Sequence, residues 1–352
     1  MGMGMRVSET PFPFKICRVE RVRIVDVAAL AGVTPGTASK ALNNTGQLRA
    51  DTRARVHRAA EQLGFTPDGI GRGLSSGRSY TVGLVTTDSF GRFSMPILLG
   101  AEDALGAGEM AVLLCDTRDD PVREQHYLRN LTARRVDGII LTGRRTEPRP
   151  PLAARVPVPV VHVFTPSAEP AATSVVVDEA AGARLVVEHL LDLGRRCIAH
   201  ITGPERHHAA VARAGAAVAA IEASGARFAG PVRYGDWSER WGRNAVVTLL
   251  HRQPAVDAIV CGSDQIARGV CDALREAGRD VPRDVAVTGY DNWDVMAEAC
   301  RPPLTTVDMM LEDLGRHGAE LLLDAIAGRP RPGVTSLEPR LVIRESTAGS
   351  LR

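Results

Sequence analysis

The stretch DVAALAGVTPGTASKALN, Asp26 to Asn43, reads as two short helices joined by a tight turn at Gly32. Thr34 is placed to cap the second helix, and Pro35 to occupy its first turn, where a missing N–H costs nothing. Val27, Leu30, Ala31, Val33, Ala38 and Leu42 recur at a spacing that lets the two helices share one small core. Thr34, Gly36, Thr37 and Lys40 then point outward, and the pair reads as a helix-turn-helix whose second helix can enter a DNA major groove. From Asp51 to Leu63, Val56, Ala59, Ala60 and Leu63 repeat at helical spacing and stop at Gly64. The expected three-helix head spans 22–67, and the glycine-rich stretch 68–79 reads as a linker.

The chain of 352 residues is long enough to bury a core in each of two or three units. A hydrophobic fraction of 44% and a charged fraction of 24% are those of a globular protein, and no transmembrane span is expected. With a net charge of only +2, the argument for a polyanionic partner is local: Arg49, Arg53, Arg55, Arg58, Arg72 and Arg78 cluster against few acids. The six cysteines show no CxxC spacing and several sit in apolar runs, so buried thiols of a cytoplasmic protein are expected rather than disulfides or a metal site. Residues 1–21 contain Pro11, Pro13 and scattered charges without an apolar core, and read as a disordered extension rather than a secretory signal.

From Tyr80 onward, β-branched runs such as Val82–Val85, Gly138–Leu141, Val158–Val163, Cys197–Ile201 and Ala258–Cys261 alternate with amphipathic segments of helical length. This alternation predicts an α/β core of parallel sheets covered by helices on both faces, with a ligand cleft at the carboxyl ends of the strands. The core is expected to hold two subdomains, the first over 80–177 and 308–338, the second over 178–307 and 339–352.

The chain resembles the lac-repressor (LacI) family of bacterial transcription regulators from Val25 to Thr347. The motifs are DVAxxAGVTxxTxSxxLN at Asp26–Asn43, LGFxPD at Leu63–Asp68, VEHLLxLGRRxIAxITGP at Val187–Pro204, GDWS at Gly235–Ser238, SDQxAxG at Ser263–Gly269, DVAVTGYDN at Asp284–Asn292, PPLTTV at Pro302–Val307 and LVIREST at Leu341–Thr347. The resemblance implies a periplasmic-binding-protein-like core behind the head and hinge. It also implies that Pro35 and Gly36 occupy the recognition positions that vary with operator sequence and that Lys40 contacts bases. Because Pro35 and Gly36 carry no hydrogen-bonding side chain, direct readout falls to Thr34, Thr37, Lys40 and Asn43, with Arg49 and Thr52 at the start of the third helix near the backbone. Arg23 and Arg49 stand where the family usually caps its first and third helices with Ser or Thr. Leu74 matches the leucine that wedges into the minor groove, while Gly69, Gly71 and Gly73 each weaken a hinge helix by about 1 kcal/mol relative to alanine.

In the core the same resemblance places Arg213, Asp291 and Trp237 around a sugar, the first two as a charged pair across the cleft. A polyol is held by fork-like donors, carboxylate acceptors and an aromatic face over its C–H patch. Arg118, Ser263 and Asp264 are implied at the cleft too, Asp264 being also placed to act as an N-cap. Phe164 stands where a sugar-binding Asp is common, and Met309 and Leu311 replace polar or aromatic residues, so a less polar pocket is expected, suited to a glycoside with an apolar part or to a non-sugar effector.

No Walker spacing, nucleophile elbow or metal-ligand cluster is present; His162, His207 and His208 read as surface or pocket-lining side chains. The expectation is therefore a non-enzymatic, ligand-responsive repressor of a carbohydrate operon, with no cofactor and no membrane partner. It would bind double-stranded operator DNA as a homodimer; the residues after Leu341–Thr347 carry no leucine heptad for a tetramer. A solute-binding protein of the same core fold is the alternative.

Overall fold

The computed structural model describes residues 22–43, 45–65, 78–106, 109–152 and 156–348. The expected extension 1–21 and most of the expected hinge, Leu74 included, lie outside these. The chain divides into two units, Met1–Ser79 and Tyr80–Arg352.

In the first unit, α1 (Ile24–Ala31), α2 (Pro35–Leu42) and α3 (Ala50–Leu63) close on a core of Val27, Ala28, Ala31, Ala38, Ala41, Val56, Ala59 and Ala60. Small side chains dominate, so the helices approach closely. Gly32 ends α1 at φ 62° and its N–H reaches the carbonyls of Ala28 and Ala29, a left-handed turn that glycine adopts without strain. Arg23 has no side-chain acceptor, but its backbone N–H donates to Asp26 Oδ2 at 2.7 Å, which is the reciprocal half of a capping box. Leu30 departs from expectation. It faces solvent, because Val27, Ala28 and Ala31 already define the packed face of α1 and Leu30 lies to one side of it.

In the second unit, β1 (Thr81–Thr86), α4 (Ser94–Ala104), β2 (Ala111–Asp116), α5 (Pro121–Ala133), β3 (Gly138–Leu141), β4 (Val160–Val163) and β5 (Thr173–Val177) form most of one subdomain. There follow α6 (Glu179–Asp192), β6 (Cys197–Thr202), α7 (His208–Ala223), β7 (Arg227–Phe228), β8 (Arg233–Tyr234), α8 (Glu239–Arg252), β9 (Ala258–Cys261), α9 (Asp264–Glu276), β10 (Ala286–Asp291), α10 (Asp294–Ala297) and β11 (Thr305–Asp308), the body of the other. The chain returns to the first as α11 (Leu311–Ile326) and β12 (Gly333–Leu337), then to the second as β13 (Arg340–Val342) and α12 (Glu345–Ala348).

The first sheet has the order β12-β5-β4-β3-β1-β2 with all its pairs parallel. The second has the order β13-β11-β10-β9-β6-β7, with β8 also on β6 and β13 antiparallel to β11. Every residue of β3, β6 and β9 is buried, as strands covered on both faces require. Helices α4 and α11 touch backbone to backbone: a Cβ on Gly100 would lie 1.8 Å from Glu312 O, and one on Gly315 2.0 Å from Ile97 O. Glycine at both positions is what lets the returning chain lock onto the first subdomain.

Candidate functional site

Two surfaces are to be weighed, one in each unit. On α2, Thr34 accepts a hydrogen bond from Thr37 N at 3.2 Å, and the two hydroxyls are 3.0 Å apart. Asn43 Nδ2 donates to Ser39 Oγ at 3.3 Å. Thr34, Pro35, Gly36 and Lys40 are exposed, whereas Thr37 and Asn43 are half-buried. The Lys40 stem lies along Gly46, where an added Cβ would come within 3.3 Å of Lys40 Cδ. Arg49 precedes α3 as its exposed N-cap without a side-chain capping bond, and Thr52, in its first turn, is half-buried.

In the second unit a cavity of about 900 Å³ opens at the carboxyl ends of the strands, lined by residues that follow β1, β3, β4, β6, β8, β9 and β10. It gathers Phe164, Arg213, Trp237, Ser263 and Asp291 of the expected effector set. Three expected residues fall elsewhere. Arg118 is exposed in the turn after β2, its N–H donating to Asp116 Oδ1 at 2.8 Å; β2 is an edge strand, and the lining that this sheet gives the cavity follows β1, β3 and β4. Asp264 is fully buried below the cavity, accepting from Thr306 Oγ1 at 2.5 Å and Trp293 N at 2.8 Å. Nor is Asp264 the N-cap: Ser263 caps α9 by accepting from Ile266 N. Met309 borders a second, smaller cavity of about 410 Å³, with Sδ 3.8 Å from Arg213 Nη2.

Arg213, on α7, is the most heavily committed side chain of the site. Nε donates to Glu179 Oε2 at 2.6 Å, Nη2 to Glu179 Oε1 at 3.1 Å, and Nη1 to the Gly262 carbonyl at 2.6 Å. The guanidinium lies 3.6 Å from the Tyr290 ring centroid and 5.9 Å from that of Trp237. Burial opposes its charge, but Glu179 and Tyr290 outweigh burial and the pKa is raised. Arg213 Nη1 is also 3.7 Å from Asp291 Oδ1, but both residues belong to the second subdomain. Among the described residues the ion pairs that join the two subdomains are Arg92 with Asp291 and, more loosely at 4.0 Å, Arg340 with Asp313, so the expected pairing of Arg213 with Asp291 across the cleft is corrected.

Trp237 forms one wall. Its Nε1 donates to His207 Nδ1 at 2.8 Å, and the two rings stack at 6.2 Å between centroids. Gly203 backs the indole so closely that a Cβ there would lie 2.1 Å from it. Burial lowers the His207 pKa; Glu147 opposes the shift while Arg145, Arg206 and Arg144 add to it. Since an indole N–H only donates, His207 Nδ1 is the acceptor that fixes it. Phe164 stacks on Phe93 at 5.0 Å, which makes the opposite wall apolar. Burial pushes Asp291 up against the pull of Arg92 and Arg213, and burial with Asp291 nearby pushes Asp264 up to about 8.

Sequence reasoning missed Arg92, Phe93, Gln265 and Trp293. The available signal was position: Asp88–Phe93 follows β1 directly, at a carboxyl strand end, and Asp88 Oδ2 accepts from Phe93 N and Ser94 N to start α4.

Residues 23–68 match the family described as bacterial regulatory proteins, lacI family, and residues 187–347 match the periplasmic binding protein-like domain. The HTH-type transcriptional regulator CelR of Thermobifida fusca is 35% identical over 94% of this chain and 99% of its own length. Among solved structures, a transcriptional regulator CelR-cellobiose complex aligns over 93% of this chain and 100% of that one, at 34% identity and a TM-score of 0.65. The lac repressor dimer bound to operator and the anti-inducer ONPF aligns over 93% and 99%, at 27% identity and a TM-score of 0.76. With a helix-turn-helix head and a two-sheet core matched along nearly its whole length, the chain belongs to the lacI family of bacterial transcription regulators.

Proposed function

We propose that this chain is a cytoplasmic repressor that binds a pseudo-palindromic operator as a homodimer and changes its grip when a β-linked disaccharide or related glycoside enters the cleft. The observation that carries the reading is the cavity of about 900 Å³ with an indole wall at Trp237 and the Arg213–Asp291 charges beside it. Its size lies toward the upper end of the range of small-molecule sites, about 300–1,000 Å³, and leaves room for more than one sugar ring. The stacked Phe93 and Phe164 offer an apolar face to the ring farther from Trp237. The likeness to a cellobiose-bound relative supports the same ligand class.

On this reading the head is 22–67, the hinge 68–79 and the core 80–352, with Thr34, Pro35, Gly36, Thr37, Lys40, Asn43, Arg49, Thr52 and Leu74 toward DNA. Ligand-driven movement of the two subdomains alters the spacing of the paired heads. The cleft is read as a binding site: two of its arginines are held in place by carboxylates, Arg213 by Glu179 and Arg92 by Asp291. The test is fluorescence anisotropy on an operator selected from random duplexes, with cellobiose and a panel of other glycosides added. The expected result is sequence-specific binding that shifts at least about tenfold with one of them. Binding that no glycoside alters defeats the effector reading, and absence of specific DNA binding defeats the whole.

A further inference from the structure

Arg92 belongs to the loop after β1, in the first subdomain, yet its guanidinium is engaged by the second. Nη2 pairs with Asp291, and Nη1 donates to Gln265 Oε1 at 3.1 Å. Its Cζ sits 4.5 Å from the Trp293 ring centroid and 4.9 Å from that of Phe93, so the cation is held between an aromatic face from each side of the cleft. The two cavities share Arg92, Phe93, Pro96, Asp291 and Trp293 as lining, which makes this cluster the partition between them. Nε is buried and has no hydrogen-bond partner among the described residues.

An arginine used only to support its own loop would turn toward that loop or toward water. Here a planar donor fork reaches across the cleft to the carboxylate that the proposed effector site offers a ligand. We propose that Arg92 is an interdomain latch. It ties the two walls of the cleft together at Asp291 while the larger cavity beside it stays open, and an effector in that cavity engages Asp291 by displacing the guanidinium. The two subdomains are joined by chain crossings after β5, β11 and β12, so a side-chain bond at the cleft has leverage on their relative position. The latch also acts as a filter: a ligand must present a hydroxyl or amine that can replace the guanidinium at Asp291, and a purely apolar molecule cannot release it.

The latch itself does not depend on what the effector is, whereas its displacement by a glycoside rests on the function proposed above. Two measurements on the full chain separate them. Hydrogen exchange without ligand is compared for the parent, Arg92→Gln and Arg92→Lys over 87–93 and 291–294, and cellobiose binding is measured by calorimetry on the same three. A latch predicts exchange about tenfold or more faster in both segments for Arg92→Gln, with Arg92→Lys between it and the parent, because lysine keeps the charge but not the fork. Displacement predicts cellobiose binding about three- to tenfold tighter in Arg92→Gln, since the ligand no longer competes with the guanidinium for Asp291. Unchanged exchange in both segments overturns the latch. Faster exchange with weaker cellobiose binding overturns the displacement and makes Arg92 a ligand contact instead. A parent that does not bind cellobiose removes that ligand from the account, and the exchange data still decide the latch.

Discussion

Glu179 and Arg213 meet through two hydrogen bonds, 2.6 and 3.1 Å, with each side chain only 5% exposed. The pair joins the first residue of α6 to α7 and orients the guanidinium beneath Trp237 and Asp291. Glu179→Gln leaves a buried cation without its main partner, which costs about 3–5 kcal/mol in comparable buried pairs. Denaturant unfolding of that variant is expected to show a loss of this size, with weaker ligand binding. A loss under about 1 kcal/mol would mean that the pair contributes little to holding the core.

Two histidines make the core sensitive to acid. His200 is pushed down to about 4 by burial and then by Arg213, and His162 to about 4 by burial and then by Arg149. Both folded values lie below the ordinary 6.5, so the folded core prefers the neutral rings. Their contribution is complete above about 6.5 and is lost as pH falls toward about 4, by up to about 1.4 kcal/mol per pH unit for each ring. Asp264, raised to about 8 by burial and Asp291, works oppositely over that interval, since the folded state keeps a proton that the unfolded chain gives up. Comparing the parent with a His162→Val/His200→Val double variant cancels the Asp264 contribution. The parent is expected to lose more stability than the variant on acidification, and equal losses would refute buried neutral histidines.

Gly203 tests the indole wall. An added Cβ would lie 2.1 Å from the Trp237 ring, so Gly203→Ala has to push the indole off its His207 acceptor. Ligand affinity should fall about tenfold or more, while operator binding in the absence of ligand is kept. Unaltered calorimetry for Gly203→Ala would exclude Trp237 as the ring-packing surface.

The sequence exposed the head and the parallel sheets through their apolar runs, and it pointed to Trp237, Ser263 and Asp291 through the motifs that contain them. It hid α7, whose alanine-rich stretch His208–Ala223 offers little contrast between its faces although Ala210, Arg213, Ala214, Ala217 and Ile221 form one buried stripe. It hid β12 as well, an edge strand whose middle residues Val334, Thr335 and Ser336 are exposed. Arg92 was illegible for a different reason: its partners Gln265, Asp291 and Trp293 are more than 170 positions away, and only the fold brings them together. Asp264 misled in the opposite sense, since a carboxylate at a helix start after a strand fits a cap, a ligand contact or a buried strut equally well. Its bonds to Thr306 and Trp293 make it the strut.

Lys40 carries the DNA-specificity prediction. The hydroxyls of Thr34 and Thr37 engage each other and Asn43 engages Ser39, which leaves Lys40 as the exposed long donor on α2. Lys40→Ala should cut the ratio of operator to random-duplex affinity by about 1–3 kcal/mol if it reads a base edge. A uniform loss on both duplexes, with the salt slope reduced by about one, would make it a phosphate contact instead.

The dimer prediction follows from how α4 divides its faces. Ile97, Gly100 and Ala101 are buried, and Gly100 lies against α11, so that face is not open to a partner. Met95 and Leu99 remain 43% and 50% exposed on the same helix, and Leu114 is 46% exposed on β2, one of the two edge strands of the first sheet. An unpaired edge strand beside exposed apolar helix residues is a surface that association would cover, and two heads on a palindromic site require two-fold pairing. Light scattering is expected to give twice the 37.6 kDa chain mass for the parent. Leu99→Asp and Leu114→Asp, both at exposed positions, should leave the fold intact and shift the mass toward the single chain. A parent that is monomeric, or variants that stay dimeric, would place the interface elsewhere or remove it.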